Sequence, residues 1–427
     1  MVADAKRKIF YGYWVVLGAW LAMTVGTGAQ YTLSVFMPVF VKDFGWTRAS
    51  LSTGLTLSMI MMPIAGLLAG YLVDKIGPRW TVVIGSVIGA FSMFILSQIN
   101  QIWHFIVVYG ILLSTGIGLS YIVPTVATVR RWFMRRSALM VAIAMTGSGL
   151  GVVLLVPVAA MLIVKFGWRE AYVIFGVIFL IGGTIGGLLL KRDPESEGSY
   201  PDGEKPDEQM MKMRADFLAR AEKWTVADVF KTSSWWYLGL AQMGYVLAVL
   251  GLLGHMITWG TLDLQIPKDI VVKIFSFVFV MSAVIGRLAS GFSADWLMSR
   301  FSMTRKPLLY FCTFGVAIGV FFCPYVKDAQ ALFWVSIFLG FTYGCGIALF
   351  PVYLGDLFGV ANMPVLLSYI TLFVVSFGSI GPILYGIIYD KTHSYDMAFM
   401  ISGVLCVISG ICLYLLKVPQ KAAAPKI

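Results

Sequence analysis

Acidic side chains are nearly missing from the hydrophobic stretches of this chain, and charge of either sign is rare in them. Charged residues make up 12% of the sequence, about half the usual share of a soluble domain, so too little polar surface exists to cover a water-soluble fold. Cysteine is sparse. Cys312, Cys323, Cys345, Cys406 and Cys412 lie in or at the ends of apolar runs of the second half, with no CxxC pair and no His at ligand spacing. They are expected to be free packing thiols, neither disulfides nor a metal site. No GxxxxGK[ST] phosphate loop occurs, which argues against a primary pump. No Ser/His/Asp or metal-spaced constellation converges on any apolar run, so an enzyme is disfavoured and no cofactor is expected. Asn, Gln and carboxylates hardly enter the runs, which speaks against a sugar carrier. No basic groove interleaved with aromatics is present, which sets nucleic acid aside.

Apolar residues fill the space these absences leave. They make up 59% of the chain, and the mean hydropathy is +0.85. A spanning helix needs about 20 mainly apolar residues, and twelve such stretches centre near residues 25, 62, 90, 115, 150, 180, 247, 282, 315, 343, 377 and 406. The fold class is therefore an all-α polytopic membrane protein with both termini on one side of the lipid bilayer. The first ten residues carry a basic cluster, but no small-residue cleavage site follows at signal-peptide distance, so the first span is expected to be retained. Of the 32 Lys and Arg, 23 fall on the side of the termini, 8 on the other, and Arg287 inside a span. The positive-inside rule then places both termini in the cytoplasm of a cell inner (plasma) membrane. The net charge of +11 belongs mostly to loops beside anionic lipid.

Composition changes sharply between Lys191 and Ser234, where Lys, Glu, Asp, Pro and Gly gather. This divides the chain into an N-terminal bundle of six spans (1–190), a cytoplasmic linker (191–233) and a C-terminal bundle of six spans (234–427). The first part of the linker reads as flexible, and Met210 to Phe230 as a possible amphipathic helix on the inner leaflet. The halves echo each other. Gly70 and Asp74 correspond to Gly291 and Asp295 at an offset of 221, while Pro124 and Pro351, like Ala171 and Ala398, are 227 apart. Such offsets point to two pseudo-symmetric repeats about an axis along the membrane normal.

Arg287 carries the functional reading. It sits in the run from Ile270 to Phe292, and the nearest carboxylates in sequence are Asp269 and Asp295, at the ends. A guanidinium near mid-membrane costs roughly 2.5 to 3.5 kcal/mol on insertion scales, so it usually faces a wet cavity and marks a ligand path. Arg offers a planar fork that matches a carboxylate. Tyr121, after the Gly-rich GIGLS, and its loose counterpart Tyr343 are candidate hydroxyl donors to the same ligand. Tyr31, Gln30 and Tyr369 are weaker candidates, and for each tyrosine packing or interfacial anchoring is the competing role. His255 is either a helix-to-helix hydrogen bonder or a proton carrier, since histidine titrates near neutral pH. His104 and His393 sit at loop edges and receive no role. Gly147, Gly149, Gly151 and Pro157, with Gly378, Gly381 and Pro382, are read as close-packing positions.

The segment GYLVDKIGPRW, Gly70 to Trp80, resembles the loop 2/3 motif of the major facilitator superfamily. The resemblance implies that fold, with Gly70, Asp74, Gly77 and Arg79, and Asp295 in the second half, forming a latch that breaks when the cavity opens inward. Three stretches narrow the resemblance to bacterial monocarboxylate transporters and the neighbouring oxalate/formate antiporters. They are YGYWVVLGAW, RRWFMRRSALMVAIAMTGSGLG, and the run from His255 through Arg287 to Asp295. Ala138 and Met140 depart from the usual Gly and Ala of the second. The resemblance implies a secondary carrier of a small monocarboxylate anion such as lactate, pyruvate or a short-chain acid. Protons are the expected co-substrate, and no obligate protein partner is implied. An oxalate/formate-type exchanger is the alternative, and a non-transporting carboxylate receptor the alternative of another class. The second cation of the dicarboxylate exchangers corresponds to Thr371 here, which favours a monocarboxylate. The Lys and Asp of the mammalian proton relay correspond to Tyr31 and Ala283, so a coupled proton would ride on His255 or on the substrate paired with Arg287.

Overall fold

The computed structural model describes residues 10–204, 224–301, 303–359 and 362–419, and among them every regular element is helical. Among the described residues ten stretches are long and apolar enough to cross a bilayer; they account for eleven of the twelve expected spans, and the helix Gly12–Tyr31 supplies the first. Ser50–Leu96 runs 47 residues, about 70 Å at the helical rise, more than twice the hydrocarbon thickness. Gly77 breaks it at φ 84°, ψ 164°, a left-handed φ that glycine adopts without a Cβ clash. Spans 2 and 3 meet at this joint. Span 1 is Gly12–Tyr31, continued by Leu33–Phe44; its Gly, Thr and Gln dilute its apolar character. Spans 4, 5 and 6 are Ile102–Trp132, Ser137–Phe166 and Trp168–Leu189. Spans 7 to 9 are Ser233–Asp263, Lys268–Phe301 and Lys306–Tyr325, and spans 10 to 12 are Ala329–Phe358, Met363–Thr392 and Asp396–Leu415. Val164, Phe91 and Ile181 are among many large apolar side chains left exposed. In water such a surface would drive aggregation, and in a bilayer it is solvated by lipid.

Small residues bring the bundles together. A Cβ on Gly291 of span 8 would lie 2.7 Å from the Ala142 Cβ of span 5, and one on Gly70 of span 2 would lie 3.0 Å from the Pro364 carbonyl of span 11. Each repeat thus presents its equivalent glycine to the opposite bundle, and helices without side chains at the contact can approach closely. Two prolines bend their spans. Pro124 has no N–H for the Ser120 carbonyl and crowds it, and span 4 is interrupted one residue later, at Tyr121 (φ −98°, ψ −128°). Pro382 does the same to Gly378, and span 11 breaks at Ser379.

The start of the linker is docked, which corrects the expectation of flexibility for residues 191–204. The Trp132 indole N–H donates to the Lys191 carbonyl at 2.9 Å. Asp202, at φ 59°, accepts backbone N–H bonds from Met134 and Arg135 at 3.0 Å each and from Arg136 at 3.4 Å. The turn between spans 4 and 5 points these donors outward, and a carboxylate seated on them satisfies groups that composition alone cannot reveal. The proposed amphipathic helix falls mostly on residues 205–223, outside the described residues; of that stretch Val226–Phe230 is a short helix with a Thr225/Asp228 capping box.

Candidate functional site: a buried arginine among tyrosines

Span 8 carries Arg287 into the seam between the bundles, where it is only 7% exposed. Its Nη1 donates to the Met145 carbonyl at 2.9 Å and to Ser148 Oγ at 3.1 Å, both on span 5. Gly149 makes the room, since a Cβ there would lie 3.2 Å from Nη1 and 3.0 Å from Val284. Among the described residues no carboxylate pairs with the guanidinium. Nε is buried without a partner, and no hydrogen bond from Nη2 forms among these residues. An unneutralised cation with idle donors is set to receive an anion.

Three of the four sequence-selected tyrosines that surround this charge by expectation do surround it. Tyr31, Tyr121 and Tyr343 all lie within electrostatic range of Arg287, and Tyr121 lies beside Ser148. The Pro124-induced break turns Tyr121 out of its helix. Tyr343 stacks between Tyr245 and Phe279, with ring centroids 6.0 Å away on both sides. Tyr31 is 50% exposed, so the cluster is open on its side. Two tyrosines come from the first bundle, and Tyr343 with Arg287 from the second. Gln30 takes part only through its carbonyl, which accepts from Tyr109 at 2.7 Å. Cys345, one of five free thiols, packs behind Arg287 with Sγ 3.1 Å from the Gly286 carbonyl.

The structure does not bring Tyr369 or His255 into this cluster. Tyr369 packs edge-on against Phe230, ring centroids 5.2 Å apart, at the linker end of the second bundle. His255 bonds Tyr395 through Nδ1 and the Pro382 carbonyl through Nε2, both at 2.9 Å. The carbonyl can only accept, so Nε2 carries the hydrogen and Nδ1 accepts from Tyr395, whose phenol burial pushes up to about 12. Pro382 thus lends His255 a carbonyl close to the bend it creates in span 11.

The expected latch residues divide between two kinds of contact. Gly70 and Asp295 bridge the bundles, whereas Asp74 and Arg79 bind within the first. Arg79 donates to the Leu188 carbonyl of span 6 at 3.2 and 2.8 Å, and Asp74 pairs with Arg131 at 3.5 Å, while Gly77 makes the turn between them. Asp295 accepts the backbone N–H groups of Ala138 and Leu139 at 3.1 and 2.8 Å, capping the first turn of span 5, where a carboxylate also meets the positive end of the helix. Sequence reasoning missed the groups around it. Arg305 pairs with Asp295 at 3.0 Å and with Asp356 at 2.5 Å. Arg130 reaches across from span 4 to Asp356 at 2.9 Å, and both arginines donate to Ser137 Oγ. Burial works against the Arg305 charge, but Asp356 and Asp295 outweigh it and hold the guanidinium more firmly protonated than usual. The only sequence signal for this cluster is Asp356 itself, a lone acid at the end of an apolar run.

A groove on the outer face of spans 8 and 10, lined by Ser282, Ile285, Trp334, Ile337, Phe338 and Phe341, offers an anion no counter-charge. The cluster at Arg287 is therefore the candidate site.

Known proteins agree with this architecture. The chain is 24% identical to monocarboxylate transporter 12 of Rattus norvegicus, over 96% of this chain and 86% of that protein. It is 27% identical to monocarboxylate transporter 2 of Mesocricetus auratus, over 94% and 83%. The solved structure of the proton:xylose symporter XylE superposes with a TM-score of 0.70 at 14% identity, covering 95% of this chain and 96% of that one. The family model of the Major Facilitator Superfamily matches residues 19–305 and 280–427. Twelve spans in two bundles, the glycine-bridged seam and these matches together identify the chain as a membrane transporter, not an enzyme, that belongs to the Major Facilitator Superfamily.

Proposed function

We propose that the chain carries small monocarboxylates such as lactate, pyruvate or a short-chain acid, together with a proton, by alternating access. The observation that carries this reading is the buried, unpaired guanidinium of Arg287, with Nη2 idle. Tyr121, Tyr343 and Tyr31 supply hydroxyls for the second carboxylate oxygen or an α-hydroxyl. Capture neutralises Arg287 and lowers the cost of enclosing the ligand in a low dielectric, after which the bundles rock across it. Both nitrogens of His255 are engaged away from Arg287, which supports a proton that joins the substrate carboxylate as its pair with Arg287 opens, and not one carried on His255. The relatives named as monocarboxylate transporters support the substrate class.

The remaining assignments follow from this reading. Residues 1–190 and 234–427 act as the two rocking bodies and 191–233 as their connection. The positive-inside bias favours cytoplasmic termini in the plasma membrane. Gly70, Asp295 and the Arg130–Asp356–Arg305 cluster then form the closed cytoplasmic side, and the half-exposed Tyr31 faces the entrance from outside. Gly77, Asp74 and Arg79 hold the first bundle rigid next to that closure. The test is uptake of radiolabelled L-lactate, pyruvate, acetate and oxalate into proteoliposomes, with and without an inward proton gradient. Gradient-stimulated uptake of a monocarboxylate is expected; oxalate uptake that depends on internal formate would replace this reading with an exchanger.

A further inference from the structure

Arg287 does more in this structure than wait for an anion. Its Nη1 is spent on the opposite bundle, at the Met145 carbonyl and Ser148 Oγ. Ser148 in turn donates to the Met145 carbonyl at 2.8 Å. Its hydroxyl therefore joins Arg287 and the backbone of span 5 at one point. The guanidinium lies in the seam that Gly149 and Gly291 open between spans 5 and 8. Nε is buried, so a carboxylate gripped by two donors takes both terminal nitrogens, and the hydrogen it needs on Nη1 has to come from one of the two span 5 acceptors. Ligand binding and release of the seam then compete for one atom.

We propose that Arg287 is a clasp between the two bundles of the empty transporter, positioned by Ser148, and that a substrate carboxylate opens it by taking over Nη1. The proposal rests on the reading of Arg287 as the carboxylate site. It makes Ser148 a positioning residue with a kinetic signature. The empty carrier, with its clasp closed, reorients slowly; the loaded carrier, with Nη1 drawn to the substrate, reorients fast. Exchange, in which both crossings are loaded, should outpace net uptake, in which one crossing is empty.

The test compares net uptake with equilibrium exchange of L-lactate in proteoliposomes for the wild type, Ser148→Ala and Ser148→Thr. Loss of one hydrogen bond to a charged group should raise the ratio of net uptake to exchange by roughly 10- to 150-fold in Ser148→Ala, and Ser148→Thr, which keeps the hydroxyl, should restore the wild-type ratio. A proportional change in both fluxes would mean that Ser148 only packs, and overturns the clasp. A second readout needs no transport. Spin labels at Val164 and Leu262, exposed at the ends of spans 5 and 7 away from the termini, should show more short distances in ligand-free Ser148→Ala than in the wild type. An unmoved distance distribution overturns the clasp whatever the fluxes do. If no monocarboxylate is transported, the substrate reading fails and the distance measurement alone judges the clasp.

Discussion

Replacing Arg287 with lysine keeps the charge and removes the fork, which makes Arg287→Lys the sharpest test of the site. In the wild type one terminal nitrogen is held by span 5 and the other is idle, and the planar fork can offer a carboxylate both of them, about 2.3 Å apart, once Nη1 is released. An ammonium concentrates its donors on a single atom and cannot meet both oxygens of a carboxylate with two parallel N–H groups. One charge-assisted hydrogen bond is lost, worth about 1.5–3 kcal/mol, which corresponds to a roughly 10- to 150-fold weaker ligand affinity. The assay is the concentration dependence of labelled uptake in proteoliposomes, normalised to inserted protein, with size-exclusion profile and melting temperature as controls for folding. Half-saturation should rise by that factor while saturable uptake persists, whereas Arg287→Ala should abolish saturable uptake in a protein that still inserts. A lysine variant with unchanged half-saturation, or an alanine variant with normal uptake, would show that the carboxylate binds elsewhere.

Other substitutions probe the surroundings. His255→Gln should keep the pH dependence of uptake while lowering the melting temperature, because the bonds to Tyr395 and Pro382 contribute about 0.5–1.5 kcal/mol each; a flattened pH profile would assign the proton to His255. Asp295→Asn leaves Arg305 with a buried charge partner missing, a loss of about 3–5 kcal/mol for a broken buried pair. It should make a cysteine introduced at Ala142, on the seam with Gly291, react faster with a thiol reagent in a background without the native cysteines, and an unchanged rate would count against a latch role. Gly149→Ala forces a methyl group against Val284 and Nη1; overpacking of this kind costs about 1–3 kcal/mol. Uptake should fall while insertion is retained, and full activity would show that the approach of the guanidinium to span 5 is dispensable.

The twelve spans were legible because apolar run length is read directly from sequence, and the repeat showed through because its glycines and prolines hold fixed offsets. Arg287 was legible for the same reason: a cation stands out against an apolar run. Tyr121 announced itself through the Gly-rich GIGLS that precedes it, but Tyr369 and Tyr343 look alike in sequence. They diverge only in space, since Tyr369 sits near the linker end of span 11 beside Phe230. Ser148 could not be distinguished from any other small residue on span 5, because its importance comes from a neighbour 139 residues away. Arg130 and Arg305 were counted among the loop cations and Asp356 was given no role, yet all three turn out to be largely buried across the two bundles. Pairing at that range depends on helix tilt, which no local pattern encodes. Asp202 was hidden by composition: a linker rich in Pro, Gly and Glu looks loose until the donors it occupies are seen.

The cluster of Arg130, Asp356, Arg305 and Asp295 also bears on how readily the molecule changes state. A purely apolar seam gains free energy for each square ångström it hides and would resist reopening. A seam closed by ion pairs behaves differently, because the attraction gained on closing is largely offset by the hydration lost, and water restores that hydration when the seam parts. The two arrangements of the bundles are thereby kept close in free energy. For a machine that must visit both at every cycle, near-balance sets the speed, and a firmer seal would be a slower one.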